Sequence, residues 1–433
     1  MRAMALVRRV AAVGGVESLG VIAGGVAGLL IVNMLPKEQY AQYTFLLTCM
    51  TLLLGVTDLG LTHCCLPVVG QRAREVPWVV GACQRVFHWR WALLGLGAAI
   101  VVPYFLYTTH GHGWGGAAYW CAAMLFVVLV FTTLREHYAS TVLLILDHIP
   151  TLNVIGIKAT VARLSLIGLV LLLPITTFSL TGIVAATALA GVLSVLLYRW
   201  ALVKHGIVET RLDLAQARQV DAEVLRIARP LVLPSVFYQV QGVATVLLAS
   251  LFGTENMLAE VGAFGRLAIV LIVVDRMTNV LLFPAIARAP GGPRLASTIV
   301  RVHALYLLGL AVVLATAIWL PQYWILLLGE QYRSMAPYVW WVFLAAMLNN
   351  ASGLAFRTLT VRGATANQSY GVAVIIAVQV LYLWMFGAGD LRAVLGFNLA
   401  TGVAHFGYQY LMLALRLPQW RREVSPSGGK SGT

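Results

Sequence analysis

Most of the residues in this chain that could do chemistry are charged or amide side chains set inside long apolar runs. Asp58 stands at helical spacing with Thr48, Thr51 and Thr62, so one helix would place all four within about 100° of one another. A carboxylate on a hydroxyl-bearing arc reads as the wall of a polar cavity, where it would titrate or bind a cation; a hydrogen bond to a neighbouring helix is the rival reading. Further along, Arg266, Asp275, Arg276 and Asn279 share one side of another apolar segment, with the two arginines about 80° apart. Two guanidiniums on an apolar wall suit an anionic group, phosphate above all, because Arg offers planar multi-donor contacts. An Arg–Asp ion pair that only joins helices would use the same residues. Arg135 and Arg357 are further basic interior candidates, and Glu17 and Asp275 join Asp58 as candidates for ion coupling. Glu17 shares its helical face with Gly20, Gly24 and Gly28, a small-residue stripe that also permits close helix packing. Gln239, Gln241, Asn279, Asn349 and Asn350 are the polar residues expected along the cavity wall.

The elements that position these groups follow from composition. Apolar residues make up 60% of the 433 and charged residues 11%. A soluble domain needs about 25% charged residues to coat itself, so the chain is expected to be an integral membrane protein. A spanning helix takes roughly 20 apolar residues. Twelve such stretches are present, near 10–34, 41–66, 80–106, 115–146, 152–174, 178–202, 227–252, 258–287, 297–320, 335–360, 367–387 and 391–416. The expected fold is therefore all-α, a polytopic membrane protein of about twelve transmembrane helices in two six-helix lobes. The division expected is 1–202 for the N-terminal lobe, 203–226 for a cytoplasmic basic linker, 227–416 for the C-terminal lobe and 417–433 for a cytoplasmic tail. Residues 213–229 of the polar middle read either as an amphipathic helix on the membrane surface or as a solvated linker with some helix. A weak internal repeat supports the two halves, with Tyr43 over Phe264 and Asp58 over Asn279 at an offset of 221 residues. Six spans per half insert in the same orientation, the arrangement of alternating-access transporters with a site between lobes.

Orientation follows from Lys and Arg. Arg2, Arg8, Arg9, Arg72, Arg74, Arg199, Lys204 and Arg211 fall at one side of the membrane, against Lys37, Arg333 and Arg392 at the other. Both termini are thus expected to be cytoplasmic. The first apolar run is too long for a signal-peptide core and is expected to remain as a span. The net charge of +14 suits cytoplasmic loops facing anionic membrane lipid, and no nucleic-acid motif accompanies it. Cys49, Cys64, Cys65, Cys83 and Cys121 sit in or beside apolar runs and read as small hydrophobes. His110 and His112 form too sparse a set for a metal site, and there is no P-loop, G-x-S-x-G or H-E-x-x-H. Neither a metal nor a bound cofactor is expected.

The passages VNMLPKEQYAQYTF…GVTDLGLTHCCLP, ARPLVLPSVFYQ, LFGTENMLAEVGAFGRLAIV…LLFPAIAR and LLLGEQYRSMAP resemble Wzx-type oligosaccharide flippases of the multidrug/oligosaccharidyl-lipid/polysaccharide exporter superfamily. The family's T/S-D-x-G pattern falls on Thr57, Asp58 and Gly60, and its eighth-helix proline on Pro284, whereas its glycine-tyrosine pair is Ala41 with Tyr43 here. The resemblance implies a bacterial inner-membrane protein that moves undecaprenyl-diphosphate-linked oligosaccharide for surface polysaccharide assembly. Coupling to a Na+ or H+ gradient and partnership with a polysaccharide polymerase and assembly proteins would accompany that role. A cation-coupled small-molecule exporter of the same fold, and a membrane-embedded polysaccharide polymerase or ligase, are the alternatives. An exporter of cationic compounds wants acidic walls, and a polymerase or ligase wants a sizeable outer loop.

Overall fold

The computed structural model describes residues 20, 22–172, 179–268, 271, 286, 291–364 and 367–422. Every regular element among them is helical. In chain order the helices are α1 (Ile22–Met34), α2 (Lys37–Asp58), α3 (Cys65–Val69), α4 (Val76–Gly111), α5 (Ala117–Ile145), α6 (Ile149–Leu172), α7 (Ser179–Lys204) and α8 (Leu214–Ala228). They continue as α9 (Val232–Phe252), α10 (Glu255–Leu267), α11 (Pro293–Trp319), α12 (Pro321–Leu326), α13 (Val339–Val361), α14 (Gln368–Phe386) and α15 (Leu391–Arg422). Nine helical stretches among the described residues are long and apolar enough to cross a membrane. The chain is an all-α multi-pass membrane protein. Glu17, Asp275, Arg276, Asn279 and Pro284 lie outside the described residues.

Proline and glycine set several ends. Pro77 and Pro293 occupy the first turns of α4 and α11, where a missing N–H costs nothing. The sequence predicts one helix over 41–66, but α2 stops at Asp58. Leu59 (φ 38°) and Gly60 (φ 84°) turn into the left-handed region, and a 3-10 turn follows over Leu61–Cys64. Glycine takes that conformation without a Cβ penalty, so the T-D-x-G segment works as a helix terminator. α4 is the opposite case: 36 residues at 1.5 Å each span about 54 Å, well beyond a ~30 Å hydrocarbon core.

Two compact units result: Val26–Gly262 is one, and the described residues of Met1–Gly25 and Ala263–Thr433 form the other. In the first, α5 and α6 pack on α7, and α2 packs on α4, α5 and α9. One of its cores joins Trp78, Val79, Val86 and Phe87 of α4 to Val220, Val224 and Ala228 of α8. The helix therefore docks Val220, Val224 and Ala228 on protein while Leu214 and Leu225 stay exposed, and Asp213 caps its first turn through the Gln216 N–H. Arg85 fixes it further, donating to Asp221 at 2.8 and 2.6 Å, while Trp89 Nε1 donates to the same carboxylate at 2.9 Å. At the other end of α4, Phe45, Tyr104, Phe105 and Trp114 form an aromatic cluster. His112 stacks on Trp114 and bonds the Ser250 carbonyl at 3.0 Å, and Trp114 donates to Glu255. The glycine-rich loop is thus fastened at both rings.

In the second unit α13 packs along α15, and α11 and α14 flank them. Polar side chains join these helices inside the apolar bundle. Buried His303 bonds Tyr410 and Thr358 at 3.0 and 3.2 Å. Gln368 and Gln409 exchange amide hydrogen bonds at 3.3 and 2.9 Å, and Gln379 donates to Thr401 at 3.1 Å.

Candidate functional site

Asp58 ends α2, and the chain reversal at Leu59–Gly60 returns Thr62 to it: the Thr62 N–H donates to Oδ1 at 3.2 Å, and so does its hydroxyl. The arc of threonines read from the sequence is thus partly replaced by a turn. Thr48 and Thr51 direct their hydroxyl protons to the carbonyls of Thr44 and Leu47, which leaves their oxygen lone pairs for other donors.

Facing Asp58 is Arg90 of α4, whose side chain is 1% exposed. Its Nη1 lies 3.6 Å from Asp58 Oδ1, 3.3 Å from the Thr62 hydroxyl and 3.4 Å from His137 Nδ1 on α5. Its Nε is buried without a hydrogen-bond partner. At 3.6 Å the carboxylate balances the charge of Arg90 but does not take a close hydrogen bond from it. The guanidinium therefore keeps donor capacity that a fully forked Arg–carboxylate pair would lack. Phe87 lies under it, 5.0 Å from its carbon.

These groups border a cavity of about 470 Å³, whose other lining includes Thr51, Ser140, Thr141 and Gln239. Gln239 is among its lining, and its amide donates to the Thr51 carbonyl at 2.9 Å. A second cavity of about 310 Å³ lies among α2, α5, α6 and α7, with Tyr43, Glu136, Thr160, Arg163 and Ser194 on its walls. Ser194 donates to the Glu136 carboxylate. Met50 and Glu136 line this cavity while the next residues, Thr51 and His137, line the first. The two cavities therefore follow one another along α2 and α5, each holding one carboxylate and one arginine.

The remaining candidates are placed as follows. Arg135 is exposed on α5, 5.7 Å from the Trp91 ring centre. Arg266 is half-buried in the last turn of α10, and Arg357 is half-buried on α13. Gln241 is half-buried on α9; Asn349 and Asn350 are half-buried on α13, with the Asn350 amide donating to the Ala346 carbonyl of its own helix at 2.7 Å. Arg90, Arg163 and Ser194 are absent from the residues singled out in the sequence. Arg90 carried a readable signal, an arginine between two tryptophans at the start of a long apolar run, whereas nothing local distinguishes Ser194.

No protein-family model matches the sequence, and no curated protein matches it either. Solved structures do. An inward-facing multidrug resistance MATE family transporter of the MOP superfamily matches with a TM-score of 0.71 at 13% identity, over 94% of this chain and 96% of that one. The eukaryotic MATE transporter AtDTX14 matches with a TM-score of 0.60 at 12% identity, over 96% and 98%. A MOP superfamily transporter from Pyrococcus furiosus, described as having a binding pocket of reverse polarity that suggests a different function, matches at 0.56 and 14%, over 95% of each chain. The chain has the fold of these transporters.

Proposed function

We propose that this protein is an alternating-access transporter that carries a lipid-linked oligosaccharide diphosphate across a bacterial inner membrane, for surface polysaccharide assembly. The observation that carries the reading is Arg90, a buried guanidinium at a polar cavity with donors to spare. A diphosphate entering an apolar bundle needs a fixed cationic fork, since an unpaired charge is costly out of water. Asp58 keeps the resting guanidinium charge-balanced and is the group that would take the coupling proton or sodium ion. The hydroxyl-rich second cavity, with Glu136 and Ser194, suits the hydroxyls of a sugar. Both termini are proposed to be cytoplasmic, and a polysaccharide polymerase would receive the product.

A second reading has its own observation. Glu136 among threonine and serine hydroxyls would also suit a cationic cargo, as in a cation-coupled small-molecule exporter of the same fold. Pocket polarity separates the two. Purified protein in liposomes should move a fluorescent polyprenyl-diphosphate sugar to the leaflet open to dithionite. Arg90→Ala should slow this at least tenfold, with Arg90→Lys intermediate. Gradient-driven efflux of ethidium without lipid-sugar movement would reject the first reading in favour of the second.

A further inference from the structure

The second unit carries a groove that the proposed transport path does not use. It measures about 700 Å³, within the range of small-molecule sites, and lies among α13, α14 and α15. One wall is Val378, Tyr382 and Phe386, which repeat every four residues along α14 and so share a face. The opposite wall is α15, where the small Ala393, Gly396, Ala400 and Ala404 are flanked by Leu399 and Val403. Gly396 is required there: a Cβ would lie 2.1 Å from the Tyr382 hydroxyl, so the tyrosine rests directly on its backbone, with Trp341 alongside. Phe386 and Val403 at the edges are 61% and 55% exposed, an apolar surface that faces lipid in a membrane-spanning bundle.

Only one end of the groove is charged. Asp390 and Arg392 sit there, but their roles differ. Asp390 accepts the Ala393 N–H at 2.6 Å and so caps the start of α15. Arg392 donates through Nε to the Tyr338 hydroxyl at 2.8 Å, which ties its exposed guanidinium to the rim of the groove, 5.7 Å from the Tyr338 ring centre. From Arg392 to Ala404 the groove follows α15 for twelve helical steps, about 18 Å at 1.5 Å per residue, or more than half of a ~30 Å hydrocarbon core. A long apolar trough whose one cation, Arg392, stands at the rim beside a carboxylate already held as the α15 cap is complementary to an amphiphile with one tail and one phosphate.

We propose that this groove binds an anionic phospholipid of the bilayer, with an acyl chain along α14 and α15 and its phosphate on Arg392. The lipid would stay there as a structural ligand of the second unit, independent of whichever cargo the protein carries. Trp341 provides the reporter. Protein in nanodiscs is titrated with brominated phosphatidylglycerol or brominated phosphatidylcholine, and the Trp341 signal is taken as the difference from Trp341→Phe. Phosphatidylglycerol should quench at roughly tenfold lower mole fraction than phosphatidylcholine, the loss expected for one charge-assisted contact. Arg392→Ala should abolish that preference while Arg392→Lys keeps part of it. Ala400→Phe, which fills the trough without touching the Gly396–Tyr382 contact, should remove quenching by both lipids. Equal quenching by the two lipids in the wild type, or an unchanged preference in Arg392→Ala, would overturn the proposal. So would undiminished quenching in a folded Ala400→Phe protein.

Discussion

Gln239 occupies the space that the missing side chain of Gly55 leaves open. A Cβ at Gly55 would fall 2.0 Å from the Gln239 side chain, whose amide donates to the Thr51 carbonyl one turn earlier at 2.9 Å. α2 and α9 are thereby held at one point beside the Asp58 cavity.

Gly55→Ala should therefore disturb that junction. Overpacking typically costs about 1–3 kcal/mol, and the obstruction here is a flexible amide that can swing away at the loss of its hydrogen bond. The thermal midpoint of Gly55→Ala should drop, and the Gly55→Ala, Gln239→Ala double variant should recover part of it. A double variant that melts below both single variants would show that the two residues do not share this space.

The periodic apolar runs made most of the fold legible. Spans expected at 80–106, 152–174 and 367–387 appear as α4, α6 and α14, because helical length and hydrophobicity are local properties. What escaped depended on the third dimension. Arg90 became a site residue only because the reversal at Leu59–Gly60 brings Asp58 and Thr62 against α4. The uneven apolar face of α8 was readable, but whether it meets lipid or protein depends on where Trp78, Val79 and Val86 present themselves.

The turn joining α5 to α6 carries a pH dependence. His148 and His205 stack with ring centres 4.0 Å apart, and the Thr151 hydroxyl bonds His205 Nε2 at 3.0 Å. Desolvation, then the nearby His148 and Lys204, hold the His205 imidazole below its ordinary value of 6.5. The folded protein thus binds this proton less readily than the unfolded chain, so its contribution is complete above pH 6.5 and falls as pH drops below it. Hydrogen exchange at the α7 terminus should quicken between pH 7.5 and 5.5 in the wild type, after correction for the intrinsic rate. His205→Gln should flatten that response; an identical profile in the variant would remove His205 as its source.

Topology can be read by thiol labelling. Four of the five cysteines are buried and Cys121 is exposed, so Cys121→Ser gives a quiet background. On the proposed orientation, a membrane-impermeant maleimide added to intact cells should label Gly389→Cys and spare Ala215→Cys. Both positions are exposed, so accessibility of the side chain does not bias the comparison. The reverse pattern would invert the protein in the membrane and place the α8 helix outside.

The ion pair at the cavity makes the most discriminating forecast. Arg90 is 1% exposed and Asp58 32%, so removing either charge strands its partner to different degrees. Breaking a fully buried pair costs about 3–5 kcal/mol, but water reaches Asp58 and the 3.6 Å separation is long, so about 1–3 kcal/mol is expected for Arg90→Met. Asp58→Asn keeps an acceptor for the Thr62 N–H while deleting the charge, which leaves a buried guanidinium whose 3.6 Å carboxylate partner has become a neutral amide. The double variant contains neither stranded charge, so it should be more stable than the sum of the single losses by about 1 kcal/mol or more. Thermal or denaturant unfolding of the four proteins measures that coupling. Strict additivity would mean that Asp58 does not hold Arg90, and the cavity would then have to balance its arginine through some other group.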